Sequence, residues 1–197
     1  MLPVPETTGT SEADIYTYLP NDFLMKPGEW MIPSTNNFNT YYVFDTTLMT
    51  LATKVVAYTP FLLQQQTTFS ELQFYSSTSG WPCAVGLYTA GKDRMPSTLE
   101  NVMFSGNTTS ANQHVTWSAT LDPGLYWVAI KNGSASTVSL KAAFASNSDI
   151  FTTATTLASH PGAFSTTTAS TSLTLTDNPS ITTKNLFRIP AVALKVA

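Results

Sequence analysis

Charge is what this sequence holds least of. Asp, Glu, Lys and Arg make up 11% of its 197 residues, against roughly 25% in ordinary soluble domains. Nine Lys and Arg against twelve Asp and Glu leave a formal charge of −3. No basic run exists, so the electrostatic footprint of a nucleic-acid binder is missing and no nucleic-acid partner is expected. A single cysteine, Cys83, excludes an intrachain disulfide. It opens an apolar strand with no His or basic neighbour in sequence, so it reads as a small buried hydrophobe rather than a reactive thiol. No apolar run reaches the length of a bilayer span, and no membrane insertion is expected. The N-terminus, Met1-Leu2-Pro3-Val4-Pro5-Glu6, has neither a basic segment nor an apolar one, so no secretory signal is expected there.

The residues that carry chemistry are equally thin. His114 and His160 are the two histidines, and neither falls in an H-x-x-x-H or H-x-E spacing, so no metal site is expected. There is no G-x-S-x-G elbow and no phosphate loop. Glycoside hydrolysis needs two carboxylates flanking the sugar. The acidic residues lie mostly in turns or near the N-terminus. Glu71 alone falls in a strongly predicted strand, on a solvent-facing position, and no partner for it is evident. No catalytic residue and no cofactor is expected, and the chain reads as a non-enzyme.

What is present is Thr, Ser, Asn and aromatics, in the pattern of short strands. Residues 1–38 show no period of 2 or 3.6 and read as an extended arm. Its aromatics Tyr16, Tyr18, Phe23 and Trp30 are candidates for docking on a partner, because large aromatics concentrate at interface centres. Residues 39–197 read as the folded domain. Leu48 to Tyr58 reads as one strand continuing through Pro60-Phe61. Thr68 to Tyr75 alternates around Phe69, Leu72 and Phe74. His114 to Leu121 has period 2, with Val115, Trp117, Ala119 and Leu121 on one face. Asp122-Pro123-Gly124 is a turn signal, and Leu125 to Lys131 is a buried aromatic strand. Asn132-Gly133 reads as a hairpin turn leading to Thr137 to Phe144, so the last three strands are expected to form a meander. Residues 145–182 read as a long Thr/Ser/Ala excursion with one strand at Ser172 to Thr176. Asn185 to Val196 returns to strand character, with Pro190 marking an edge or bulge. Nothing has helical periodicity over three turns. Short strands with turn signals between them predict an all-β antiparallel sandwich or jelly roll with an extended N-terminal arm. Trp117 and Trp127 alternate with smaller residues and read as core. Trp81, in a Ser/Gly/Pro loop, is the candidate for glycan contact, the alternative being a plug over the end of the sandwich.

One ordered set of motifs resembles a known family. Pro60-Phe61 is followed by Thr68-Phe69-Ser70-Glu71-Leu72, then Val85-Gly86-Leu87-Tyr88, a turn with Pro96, and Leu121-Asp122-Pro123-Gly124-Leu125-Tyr126-Trp127-Val128-Ala129. This is similar to β-sandwich proteins of bacteriophage virions, among them tail-fibre, receptor-binding and head fibre or decoration proteins. The resemblance covers residues 41 to 144. Met95-Pro96-Ser97 stands where that family usually has Pro-Gly, and Leu87 where it has Ile. The resemblance implies a structural virion component, assembled with other capsid or tail proteins, commonly as a homotrimer, with host-surface glycans as a further partner. A polar, weakly charged surface suits a permanently assembled or extracellular protein. Release by lysis would reconcile that location with the N-terminus. The alternative reading is a carbohydrate-binding module.

Overall fold

The structure is a computed structural model that describes residues 27–31, 48–144, 164–181 and 188–197. The twelve strands among them are, in chain order, β1 (Trp30–Met31), β2 (Leu48–Leu51), β3 (Val55–Leu63), β4 (Thr67–Tyr75), β5 (Pro82–Ala90), β6 (Pro96–Asn107), β7 (Asn112–Leu121), β8 (Gly124–Asn132), β9 (Val138–Phe144), β10 (Phe164–Thr167), β11 (Arg188–Pro190) and β12 (Val192–Val196). No helix occurs among the described residues. One layer is the sheet β10-β3-β8-β5-β6. The other is built from β1-β12-β4-β7 and β11-β9-β2. Every ladder is antiparallel. The all-β antiparallel sandwich expected from the sequence is the fold.

The second layer is forked. β4 and β9 meet where Ser76 bridges Leu140 and then separate. The chain runs in along β9 as β11, with Pro190 opposite Ala142. It crosses the fork at Ala191 and leaves along β4 as β12, with Val192 opposite Phe74. Pro190 thus sits at a corner rather than inside a continuous ladder.

Alternation decides what faces inward. Val115, Ala119, Trp117 and Leu121 of β7 turn toward the core, while His114, Thr116, Ser118 and Thr120 are exposed. β4 breaks its alternation once. The register shifts between Phe69 and Glu71 against β7, so Phe69 and Leu72, three residues apart, both enter the core. They meet Val85, Leu87, Val128 and Ile130 of the opposite sheet in the same cluster. Strand burial of this kind is the main favourable term in the fold, at roughly 25 cal/mol per Å² of apolar surface.

In the five-stranded sheet the central strands β3, β8 and β5 are buried on both faces, which accounts for their near-continuous hydrophobic sequences. The second face of the sheet carries Val56, Tyr58, Ala84, Tyr88, Trp127 and Ala129, and residues 171–181 lie over it with Leu175 buried and Leu173 and Ile181 packed alongside. Gly86 makes the room. A Cβ there would stand 2.5 Å from Leu175 Cδ1. Polar ties fix the strap: Lys131 Nζ donates to the Thr174 carbonyl at 3.0 Å, Tyr88 Oη to that of Thr176 at 3.1 Å, and the Leu99 amide to Asp177 Oδ1 at 2.6 Å. Residues 171–181 of the Thr/Ser-rich excursion are therefore a cover for a second hydrophobic layer. Among the described residues of the excursion the strand is β10, paired with β3. Ser172 to Thr176, expected as a strand, joins no ladder.

Three further expectations are corrected. Leu48 to Tyr58 is two strands, because Lys54 takes a φ of +62° and the chain passes from β2 in one layer to β3 in the other. The expected meander is absent: β7 pairs with β4, β8 with β3 and β5, and β9 with β2 and β11. Asp122-Pro123-Gly124 is a corner between layers. Asn132-Gly133 is no two-residue hairpin, because the Asn132 side chain is buried as a hub. Its Nδ2 donates to the carbonyls of Leu51 at 2.9 Å and Ser136 at 3.0 Å, while its Oδ1 accepts from the Ser134 amide at 2.8 Å. Tyr41-Tyr42-Val43-Phe44-Asp45, whose aromatic and β-branched residues read as a further strand, lies outside the described residues.

Candidate functional site

An exposed cluster of polar side chains lies on the outward face of β1-β12-β4-β7. The sheet builds it by register. Trp30 stands opposite Lys195, Lys195 opposite Glu71, Glu71 opposite Thr116, and in the adjoining row Gln73 opposite His114. The bulge in β4 is what aims Glu71 outward beside His114 while Phe69 stays inside.

Glu71 is the centre of this group. His114 Nδ1 bonds its Oε1, and Lys195 Nζ lies 3.7 Å from its Oε2. On the other side of the imidazole, Nε2 is 3.1 Å from Gln73 Nε2 and 3.2 Å from Asn112 Nδ2. Gln73 Nε2 also donates to Asn112 Oδ1 at 2.8 Å. Two amide donors facing Nε2 make that nitrogen the acceptor, so Nδ1 carries the proton and donates to Glu71. The Trp30 ring borders the group, edge-on to His114 at 6.3 Å between centroids, with the Lys195 ammonium 5.7 Å from its own centroid. Half of the His114 side chain is exposed, and Lys195 is 37% exposed.

A histidine oriented by a carboxylate is one half of a general-base arrangement, which needs its second nitrogen facing a nucleophile. Here the second nitrogen faces two amides instead. The cluster suits recognition by hydrogen bonds and ring contact. Among the described residues, no group of three or more His, Cys, Asp or Glu side chains could hold a metal ion. No described helix is long and apolar enough to cross a membrane.

The residues singled out in the sequence fall as follows. Tyr16, Tyr18 and Phe23 lie outside the described residues. Trp30, expected to anchor an arm on a partner, is docked on its own chain as part of β1, with Met31 buried beside it. The Gly28 amide donates to the Val196 carbonyl at 2.9 Å, and the Val196 amide to that of Glu29 at 2.8 Å. This part of the expected arm thus belongs to the sandwich. Trp81 is corrected as a glycan contact: it is 3% exposed and offers no face to a sugar. Its Nε1 donates to Asn132 Oδ1 at 2.9 Å, its amide to Thr108 Oγ1 at 3.0 Å, and its ring meets Phe74 edge-on. It is the plug. Trp117 is buried against Phe69, with Nε1 donating to Asn101 Oδ1 at 3.1 Å. Trp127 is fully buried beneath the strap. Lys195, Gln73 and Asn112 were missed by the sequence reading. Period 2 places His114 outward, and the inward pair Leu72 and Phe74 places Glu71 outward, but nothing local says that their strands pair.

Burial sets the titration of the interior groups. It raises the Cys83 thiol well above its ordinary value, which keeps it unreactive. It also raises Tyr58, helped by the neighbouring Tyr88, and pushes Tyr88 up to about 12. It lowers Lys131.

Compared with known proteins, the chain matches no family model and no curated protein. Among solved structures it is similar to chitosan-binding module 1 of a chitosanase/glucanase from Paenibacillus sp. IK-5. The identity is 13%, the TM-score 0.36, and the match covers 61% of this chain and 94% of that one.

Proposed function

We propose that this chain is a non-enzymatic component of a bacteriophage virion, a small capsid-decoration or fibre/tail protein. In this reading residues 1–26 attach it to other capsid or tail proteins, and the sandwich projects outward and adsorbs to host-surface glycan. The resemblance of the ordered motifs between residues 41 and 144 to those of virion sandwich proteins supports the setting. The observation that carries the adsorption role is the outward face of β1-β12-β4-β7, where Trp30 borders a fixed set of amides, imidazole and carboxylate and the second imidazole nitrogen faces two amides. The polar, weakly charged composition fits a permanently assembled protein.

The attachment role has a direct test. Removing residues 1–26 leaves β1 and every described strand in place. The truncated protein should unfold cooperatively with the full-length midpoint and no longer associate with particles. Association at the full-length level would refute the anchor.

A further inference from the structure

We propose that the outward face of β1-β12-β4-β7 is a binding site for an electrically neutral polysaccharide strand. Trp30 supplies the ring against which a sugar packs, and Gln73, Asn112 and His114 supply the polar contacts. This deepens the adsorption reading above by naming the site and the chemical class it takes.

Charge gives the first reason. Across β12, β4 and β7 the sequence places two charged residues besides His114, namely Lys195 and Glu71. They lie 3.7 Å apart and neutralise one another. Among the described residues of these three strands, an acidic or basic polymer would find no lysine or carboxylate without its opposite beside it. An apolar protein surface would have to bury a carboxylate, an ammonium and two amides without replacing their water, which costs several kcal/mol in general. A neutral, hydroxyl-rich chain meets neither obstacle.

Preorganisation gives the second. Gln73, Asn112 and His114 hold one another through mutual bonds of 2.8 to 3.2 Å, and His114 is held in turn by Glu71. Side chains fixed before a ligand arrives lose little rotamer freedom on binding. The Gln73 carbonyl and the second Asn112 N–H keep hydrogen-bonding capacity, since an amide has two donors and an acceptor with two lone pairs. Shape gives the third. From Asn112 to Thr120 the outward positions of β7, each exposed, extend about 27 Å along the strand, a run with room for several consecutive sugar rings.

Affinity electrophoresis of the full-length chain tests this. The gels contain galactomannan, dextran or hydroxyethylcellulose as neutral probes and alginate as the acidic one. At least one neutral polymer should retard the protein and alginate should not. Trp30→Ala should weaken retardation by about tenfold or more, as for an aromatic at the centre of a binding surface. Trp30 also belongs to β1, so Asn112→Ala, at an exposed position, serves as the second variant. It should weaken binding several-fold with an unchanged thermal midpoint. Absence of retardation by every neutral polymer, stronger retardation by alginate, or variants that bind like the parent would each overturn the site. The virion reading fails separately, if purified particles lack the chain.

Discussion

The covered face of the five-stranded sheet makes a quantitative prediction about two residues far apart in sequence. Leu175 is 8% exposed and reaches into the space that Gly86 leaves open. Leu175→Ala removes most of that side chain above a sheet that cannot rise to meet it, and should cost about 2–3 kcal/mol, the low end for buried leucines because the site lies under one layer of chain. Gly86→Ala errs in the opposite direction. Its new methyl would sit 2.5 Å from Leu175 Cδ1 and 3.0 Å from Leu99 Cδ1, where carbon atoms prefer roughly 3.5–4.0 Å. Displacing the strap should cost about 1–3 kcal/mol, reduced by about 0.4–1 kcal/mol because alanine restricts the unfolded chain. In the double variant the clash with Leu175 is gone and the methyl fills part of the void. The double variant should therefore be less destabilised than the sum of the single ones, by about 1 kcal/mol or more. Urea unfolding of the parent and three variants, with equal slopes, measures this directly. Additivity within about 0.5 kcal/mol, the usual result for independent sites, would refute the packing of Leu175 into the glycine notch.

Other expectations follow from the buried polar groups. Asn132→Ala strips partners from Trp81 Nε1 and the Leu51 carbonyl, and should cost about 3 kcal/mol or more in denaturant unfolding, since each buried orphan costs roughly 1–3 kcal/mol. A loss below about 1 kcal/mol would mean the hub is dispensable. Alkaline stability has a definite sign. Cys83, Tyr58 and Tyr88 hold their protons in the fold beyond their ordinary values of 9.0 and 10.0. Above those values the folded state binds more protons than the unfolded one, so stability falls as pH rises, by up to about 1.4 kcal/mol per pH unit for each group. Lys131 acts oppositely: its lowered value makes stability rise with pH below its ordinary 10.5, one group against three. Cys83→Ala should delay the onset of the fall from near 9 to near 10, seen by unfolding at fixed urea across the pH range. An unchanged onset would show that the thiol is not the first group to titrate.

Local patterning carried much of this fold. β4, β7 and β8 were readable because alternation and a Pro-Gly turn are properties of adjacent residues. Partner choice is not. Strands β7, β8 and β9 follow one another in sequence yet enter three different ladders. That outcome depends on Asn132 folding inward as a hub rather than outward as a turn residue. The strap was hidden by composition: its Thr and Ser read as loop, and its function rests on two leucines, Leu173 and Leu175, that meet gaps at Gly133 and Gly86. Of the two readings of Trp81, the glycan contact fails and the plug holds, for a related reason. A Ser/Gly/Pro loop suggests exposure, but Asn132, more than fifty residues later in the chain, satisfies its indole and allows it to bury. The candidate site was half legible. Glu71 and His114 were correctly placed on outward faces, while their meeting, and the arrival of Lys195 and Trp30 beside them, needed the pairing of four strands.

Locating the chain in purified virus particles by cryo-electron microscopy tests the central claim most directly. The account predicts density at the head lattice or the tail, with the sandwich outermost and the N-terminal residues against the neighbouring protein. Particles that carry no density for the chain at either place would contradict it.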